Sequence, residues 1–201
     1  MVDAIIALDK RVFIFINHNM QSKFLDVLMP IITNFEYWKI PAVLFLLSLF
    51  IWGGKKGKVV AGLTLLVFIL SDQLSSNVLK PFFFRSRPPE EFARVLVVVS
   101  PKYSFPSTHA SNIFSVTTLL SYYYRRFLSL NIFVALLVSF SRIYVGVHYP
   151  LDVIGGALLG IACTFLVVGI EKLTARRIEA SPLAREGEEQ GGRETVDEEY
   201  G

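Results

Sequence analysis

The chain has one cysteine, Cys163, in an apolar run, so no internal disulfide can form and the fold must hold by packing. Charge is sparse: 18% of residues are Asp, Glu, Lys or Arg, below the roughly 25% of a soluble domain. Glycine-rich phosphate loops, dinucleotide-binding glycine patterns and zinc-ligand spacings are all missing, which removes the common nucleotide and zinc enzyme classes. No internal repeat is visible. A cleavable signal peptide is not expected either, because Asp3, Asp9, Lys10 and Arg11 interrupt the N-terminal apolar pattern.

What the chain has in quantity is apolar surface. More than half of its 201 residues are hydrophobic, and mean hydropathy is +0.50. That length suits one domain. The pattern predicts an all-α integral membrane bundle of about six transmembrane helices, over roughly 22–35, 39–53, 58–79, 107–124, 127–142 and 150–172. Lipid supplies no water to satisfy the backbone, so apolar runs of this length without alternation should be helical. Trp38 and Trp52 flank the second span, where interfacial anchors belong. Before the spans, residues 3–16 set Ile5, Ile6, Val12, Phe13 and Ile16 between charges, as in an amphipathic helix lying at the membrane interface.

Charge is unevenly spread. Residues 1–173 carry 16 Lys+Arg against 9 Asp+Glu, whereas 174–201 carry 4 against 8. The reading is therefore a membrane domain over 1–173 and a polar, disordered tail over 174–201, which lacks the apolar surface to offset its ordering entropy. Lys55, Lys56 and Lys58 join spans two and three, Arg125 and Arg126 join four and five, and Lys172, Arg176 and Arg177 follow six, so with an even span number all three regions lie on one side. The positive-inside rule makes that side, and both termini, cytoplasmic. The 80–105 loop is basic as well, through Lys80, Arg85, Arg87, Arg94 and Lys102, but several of those charges belong to a candidate site.

Three short motifs carry the chemistry: Lys80-x6-Arg87-Pro88, then Pro106-Ser107-Thr108-His109, then Ser141-Arg142-x5-His148-x3-Asp152. Each sits at the end of an apolar stretch, and up-down connectivity brings all three to one membrane face. Cations that grip phosphate, beside two imidazoles that move protons or attack phosphorus, make a phosphoryl-transfer site. Lys80 and Arg87 lie seven residues apart and share a helix face if helix persists past Pro81. Arg85, like any basic residue at a span end, reads as snorkelling to headgroups. Ser107 is a natural N-cap whose first-turn N–H groups can meet an anion. His109 has no such structural reason, since a helix N-terminus disfavours an imidazolium unless a phosphate is bound. Asp152 can complement the first-turn dipole and also reach a ring nitrogen of His148, fixing its tautomer and freeing the other nitrogen for attack. Arg142 adds a forked donor set.

Two histidines and an aspartate can form a metal triad, but Lys80, Arg87 and Arg142 crowd the same place with positive charge, so no metal and no cofactor are expected. Basic residues at span ends rather than on a soluble face argue against nucleic acid. His18 reads as an interfacial turn residue. Asp72, Ser75, Ser76 and Asn77, within or beside the third span, line a polar path or pair internally; the sequence gives Asp72 no partner.

In order and spacing the motifs resemble the type 2 phosphatidic acid phosphatase superfamily, membrane lipid phosphate phosphatases with soluble haloperoxidase relatives. The resemblance covers roughly 60–170 and implies that His148 attacks phosphorus, forming a phosphohistidine, while His109 protonates the leaving alcohol and then activates water. It also implies that Lys80, Arg87, Ser107, backbone near Thr108 and Arg142 hold the phosphoryl group. Most relatives carry Gly where Thr108 stands; the backbone N–H survives that change, and the added methyl narrows the pocket. The implied partner is a phosphorylated lipid in the bilayer: lipid A, undecaprenyl diphosphate, phosphatidylglycerophosphate or phosphatidate, with a lean to lipid A 1-phosphate. No protein partner is implied. The implied location is the bacterial inner membrane, with the site at its periplasmic or outer face. The other classes left open are a lipid-binding or transport protein without turnover and a vanadate-dependent oxidant enzyme; the apolar spans argue against the second.

Overall fold

The computed structural model describes residues 1–98 and 103–180, and among them every regular element is helical. Local chemistry sets the boundaries. Ser22 Oγ accepts from Leu25 N–H at 3.1 Å to open α2 (Lys23–Thr33), and Asn34 Oδ1 accepts from Glu36 N–H at 3.0 Å to open α3 (Phe35–Trp52). These follow α1 (Val2–Ile14) and its π-turn extension Phe15–Asn19. Gly54, at φ +61°, starts α4 (Gly54–Gln73), which runs through a π segment, Leu74–Leu79, into the one-turn α5 (Lys80–Phe83). Beyond the described part of the next loop come α6 (Thr108–Tyr123), α7 (Leu128–Tyr144) and α8 (Pro150–Glu179), the last with Pro150 at its first position as its fixed φ favours.

Two compact units divide the chain, Met1–Thr164 and Phe165–Gly201. The first contains α1 to α7, the start of α8 and every motif residue. The second contains the rest of α8. The tail expected to be disordered over 174–201 is helical at its start, since α8 runs on to Glu179; residues 181–201 lie outside the described residues.

Among the described residues, four stretches are long and apolar enough to cross a membrane: Phe35–Trp52, Gly54–Phe83, Arg125–Tyr144 and Pro150–Arg177. The expected first span is shorter than the sequence suggested. Asn34 both ends α2 and caps α3, leaving α2 with 11 residues, and α6 has 16, against the roughly 20 that a lone span needs. No residue of α3 is buried, so Val43, Leu44, Leu47 and Phe50 face outward, an arrangement suited to lipid as the solvent.

In the first unit α4 packs against α3 and α6, and α6 against α7. The start of α8 approaches α6 closely. A Cβ at Gly156 would run into the Ser107 carbonyl, and one at Gly160 into the Ser111 carbonyl. Thr164 Oγ1 donates to Ser115 O at 2.8 Å on the same line. Small residues that let two backbones meet are the usual membrane-helix solution. The inward stripe of α1 and its extension is Asp9, Phe13 and Asn17 at a spacing of four, while Ile5 and Ile6 stay exposed. Burial of an acid there was not expected from the sequence.

Candidate active site

The three motifs meet at one end of the bundle. Lys80 opens α5, Arg87 lies in the loop beyond it, Ser107 to His109 begin α6, Arg142 closes α7, and His148 and Asp152 flank the start of α8. Ser107 N–H donates to Asp152 O at 2.9 Å, and Arg87 Nη1 donates to Val147 O at 2.7 Å. The five cationic or imidazole groups, Lys80, Arg87, Arg142, His109 and His148, lie within electrostatic reach of one another.

His148 is 1% exposed. Its Nε2 sits 3.2 Å from Arg87 Nη1. A guanidinium has donors and no acceptor, so Nε2 must present its lone pair and the ring proton belongs on Nδ1. That Nδ1 is 3.4 Å from Asp152 Oδ2, inside ion-pair range but without a hydrogen bond to any described residue. Apo catalytic contacts are often this long. Burial, then the Arg142, Arg87 and Lys80 cations, push the His148 pKa well below the ordinary imidazole range, so the ring stays neutral. A neutral imidazole with its lone pair aimed at a cationic cluster can attack an electrophilic phosphorus held there.

Asp152 Oδ2 accepts from Tyr149 N–H at 2.9 Å at the first turn of α8, and the same oxygen lies 3.4 Å from His148 Nδ1. Ser107 departs from the cap expectation. It stands at the N-cap of α6 with extended backbone, yet its hydroxyl makes no cap bond, is fully buried and has no hydrogen-bond partner among the described residues. Arg142 is 4% exposed; one arm donates to Thr33 Oγ1 at 2.5 Å, and its Nε has no hydrogen-bond partner among the described residues. Thr108 places its hydroxyl 3.2 Å from Ser76 Oγ, tying α6 to the π segment after α4. A cavity of about 430 Å³ opens beside His109 and Arg142, with Thr33, Phe35, Glu36 and Val97 among the other residues that line it.

Two expectations are corrected. Helix does not continue past Pro81 to Arg87: it ends at Phe83, where Phe84 turns left-handed at φ 50°. Arg87 therefore reaches the site from a loop, not along a helix face. Nor does Arg85 snorkel. It pairs with Asp152 at 2.7 Å and with Asp9, and lies 4.6 Å over the Tyr149 ring, because two buried carboxylates beside it need a cation. Arg94, another charge of that basic loop, is taken up by Asp26 at 2.5 Å; Lys102 lies outside the described residues.

Sequence reasoning missed Thr33, Asp9 and Ser104. A threonine at a helix end gives no signal, and an acid in an N-terminal amphipathic helix reads as solvent-facing. Ser104 Oγ donates to Ser86 O at 3.0 Å and so shapes the loop around Arg85 and Arg87. Asp72 now has a partner: its Oδ1 accepts from Asn112 Nδ2 at 2.9 Å, beside Ser71, which donates to Asn112 Oδ1 at 2.8 Å. His18, in the π turn, bonds Phe92 O at 2.7 Å.

The chain is similar to known proteins over most of its length. The profile of the PAP2 superfamily matches residues 61–174. The lipid A 4'-phosphatase of Porphyromonas gingivalis is 34% identical over 80% of this chain and 71% of its own length. The undecaprenyl-diphosphatase of Sulfolobus acidocaldarius is 36% identical over 83% of this chain and 80% of its own. Among solved structures, the transmembrane PAP2 type phosphatidylglycerolphosphate phosphatase from Bacillus subtilis superposes with a TM-score of 0.67. It is 27% identical, covering 84% of this chain and 87% of that one.

Proposed function

Because the chain belongs to the PAP2 superfamily, we propose that it hydrolyses phosphate from a membrane lipid through a phosphohistidine formed on His148. The observation that carries this reading is the Arg87 Nη1···His148 Nε2 contact at 3.2 Å, which leaves the attacking lone pair on Nε2. Nε2 attacks phosphorus as the bond to the leaving oxygen breaks, and His109 gives that oxygen its proton. The imidazole becomes a phosphorylated cation whose Nδ1–H faces Asp152. His109, now unprotonated, takes a proton from water. The hydroxyl attacks phosphorus, the N–P bond breaks, and inorganic phosphate leaves with His148 neutral again. Lys80, Arg87 and Arg142 balance the charge on the phosphoryl oxygens, with Ser107 Oγ and the α6 N-terminus as further donors.

The same reading makes residues 1–173 the membrane domain, with α2 and α6 completing six membrane-inserted helices and α1 lying at the interface. Residues 174–201 are a cytoplasmic tail. Lys56 Nζ, which donates to Tyr123 O at 2.7 Å, gathers the α3–α4 and α6–α7 connections at the end away from the motifs. Positive charge keeps that end cytoplasmic, so the site lies at the outer face of the inner membrane. Lipid A, undecaprenyl diphosphate, phosphatidylglycerophosphate and phosphatidate share the phosphate that this cluster recognises.

The test is phosphate release by the purified full chain in mixed micelles, across those four lipids, with EDTA present. Turnover of at least one lipid without added metal is expected, and vanadate should inhibit, since its trigonal bipyramid imitates in-line transfer. Saturable lipid binding without release would make the protein a binder. Turnover restored only by Mg²⁺ or Zn²⁺ would replace the cationic side chains with a metal mechanism.

A further inference from the structure

Asp9 lies outside all three motifs and outside the residues matched by the family profile, and Arg85 is one of the unassigned positions inside the first motif. Yet the two connect α1 to the carboxylate beside His148. Arg85 Nη1 donates to Asp152 Oδ1 at 2.7 Å, while its Nη2 pairs with Asp9 Oδ2. The other oxygen of Asp9 accepts from Leu151 N–H at 2.8 Å, one residue before Asp152. Exposure of the side chains is 1% for Asp9, 0% for Asp152 and 26% for Arg85. The guanidinium also stacks over Tyr149, whose N–H holds Asp152 Oδ2.

Each contact removes one freedom from Asp152. With Oδ1 clamped by the guanidinium and Oδ2 by Tyr149 N–H, the carboxylate cannot swing, and Oδ2 stays turned toward His148 Nδ1. A lone guanidinium could follow Asp152 as it moved. Here its far arm is held by an acid that is itself bonded to the α8 backbone. A buried carboxylate such as Asp9 is costly unless it is paired, so the clamp accounts for a burial that packing alone would oppose.

We propose that Asp9 and Arg85 are positioning residues that act through Asp152 on His148, so that α1 is part of the catalytic apparatus and not only an interfacial anchor. This rests on the reading of His148 as nucleophile. Outer partners that orient metal ligands, a comparable positioning role, cost about 10–100-fold when removed.

The test is a double-mutant cycle on the full chain in micelles, with Arg85→Gln and Asp152→Asn, alone and together. Phosphate release is followed on phosphatidate, undecaprenyl diphosphate and phosphatidylglycerophosphate, using the fastest. Arg85→Gln should lower kcat by about 10–100-fold with KM nearly unchanged, and should add less than about twofold once Asp152 is Asn. Asp9→Asn, which keeps the shape and leaves Arg85 in place, should lower kcat in the same direction and lose its effect in the same background. It replaces Arg85→Gln in the cycle if that variant does not fold. Costs that persist undiminished beside Asp152→Asn would reduce the pair to a structural staple and overturn the inference, as would a change in KM alone. No release by the wild type from any lipid would sink the phosphatase reading itself, a distinct failure that takes the inference with it.

Discussion

Arg87 and His148 stand 61 positions apart in the chain, yet guanidinium Nη1 lies 3.2 Å from imidazole Nε2. A donor-only group on Nε2 leaves the ring proton on Nδ1, and in the proposed mechanism the same group receives a phosphoryl oxygen when Nε2 turns to phosphorus. Arg87→Gln should therefore lower kcat/KM for lipid phosphate by about 10²–10³, the usual cost of losing one preorganised donor to developing negative charge. Arg87→Lys should recover only part of it, because an ammonium is a point charge without the fork. Near wild-type rates in Arg87→Gln would remove this residue from the phosphate site.

Thr33 supports Arg142 from α2, with its hydroxyl accepting at 2.5 Å from a guanidinium that is 4% exposed. Thr33→Val keeps the shape and deletes the acceptor. Leaving the buried donor unsatisfied should cost about 1–3 kcal/mol in denaturant unfolding of the detergent-solubilised protein. KM for lipid phosphate should rise as Arg142 loses its fixed direction. An unchanged unfolding midpoint and KM would mean that Arg142 is held by other contacts.

The three motifs stood out because charge at the end of an apolar run has no packing explanation, and helix was legible in the apolar runs because lipid forces it, although only four stretches among the described residues are long enough to span. What failed were readings that depended on where a turn falls. Helix past Pro81 was undone by Phe84, and the capping role of Ser107 by a hydroxyl that is buried without making the bond. Arg85 and Asp9 were illegible for another reason. They explain each other, 76 positions apart, and neither looks unusual without the other. The same holds for Asp72 and Asn112, whose pairing needs α4 against α6.

Orientation can be tested at two exposed positions of opposite expected side. Val98 is fully exposed in the loop before α6, on the side of the motifs, and Lys55 lies at the other end of α4. Cys163 is 3% exposed and can be replaced by Ala to clear the background. In intact cells an impermeant thiol reagent should label Val98→Cys, and Lys55→Cys should react only after lysis. The reverse pattern would move the active site to the cytoplasm.

The two histidines should fail in different ways. His148→Ala removes the proposed nucleophile, so no covalent intermediate should form with any substrate. His109→Ala removes the proton that helps an alcohol leave and the base that activates water. An aryl phosphate with an acidic leaving group needs little protonation. The His109→Ala protein should still be phosphorylated by it, then hydrolyse slowly, so that acid-labile, base-stable label accumulates on His148. Label trapped in the His148→Ala protein instead would exchange the two roles. Absence of label from both variants and from rapidly quenched wild type would favour direct attack by water, with Nε2 acting as a base toward it rather than as the nucleophile.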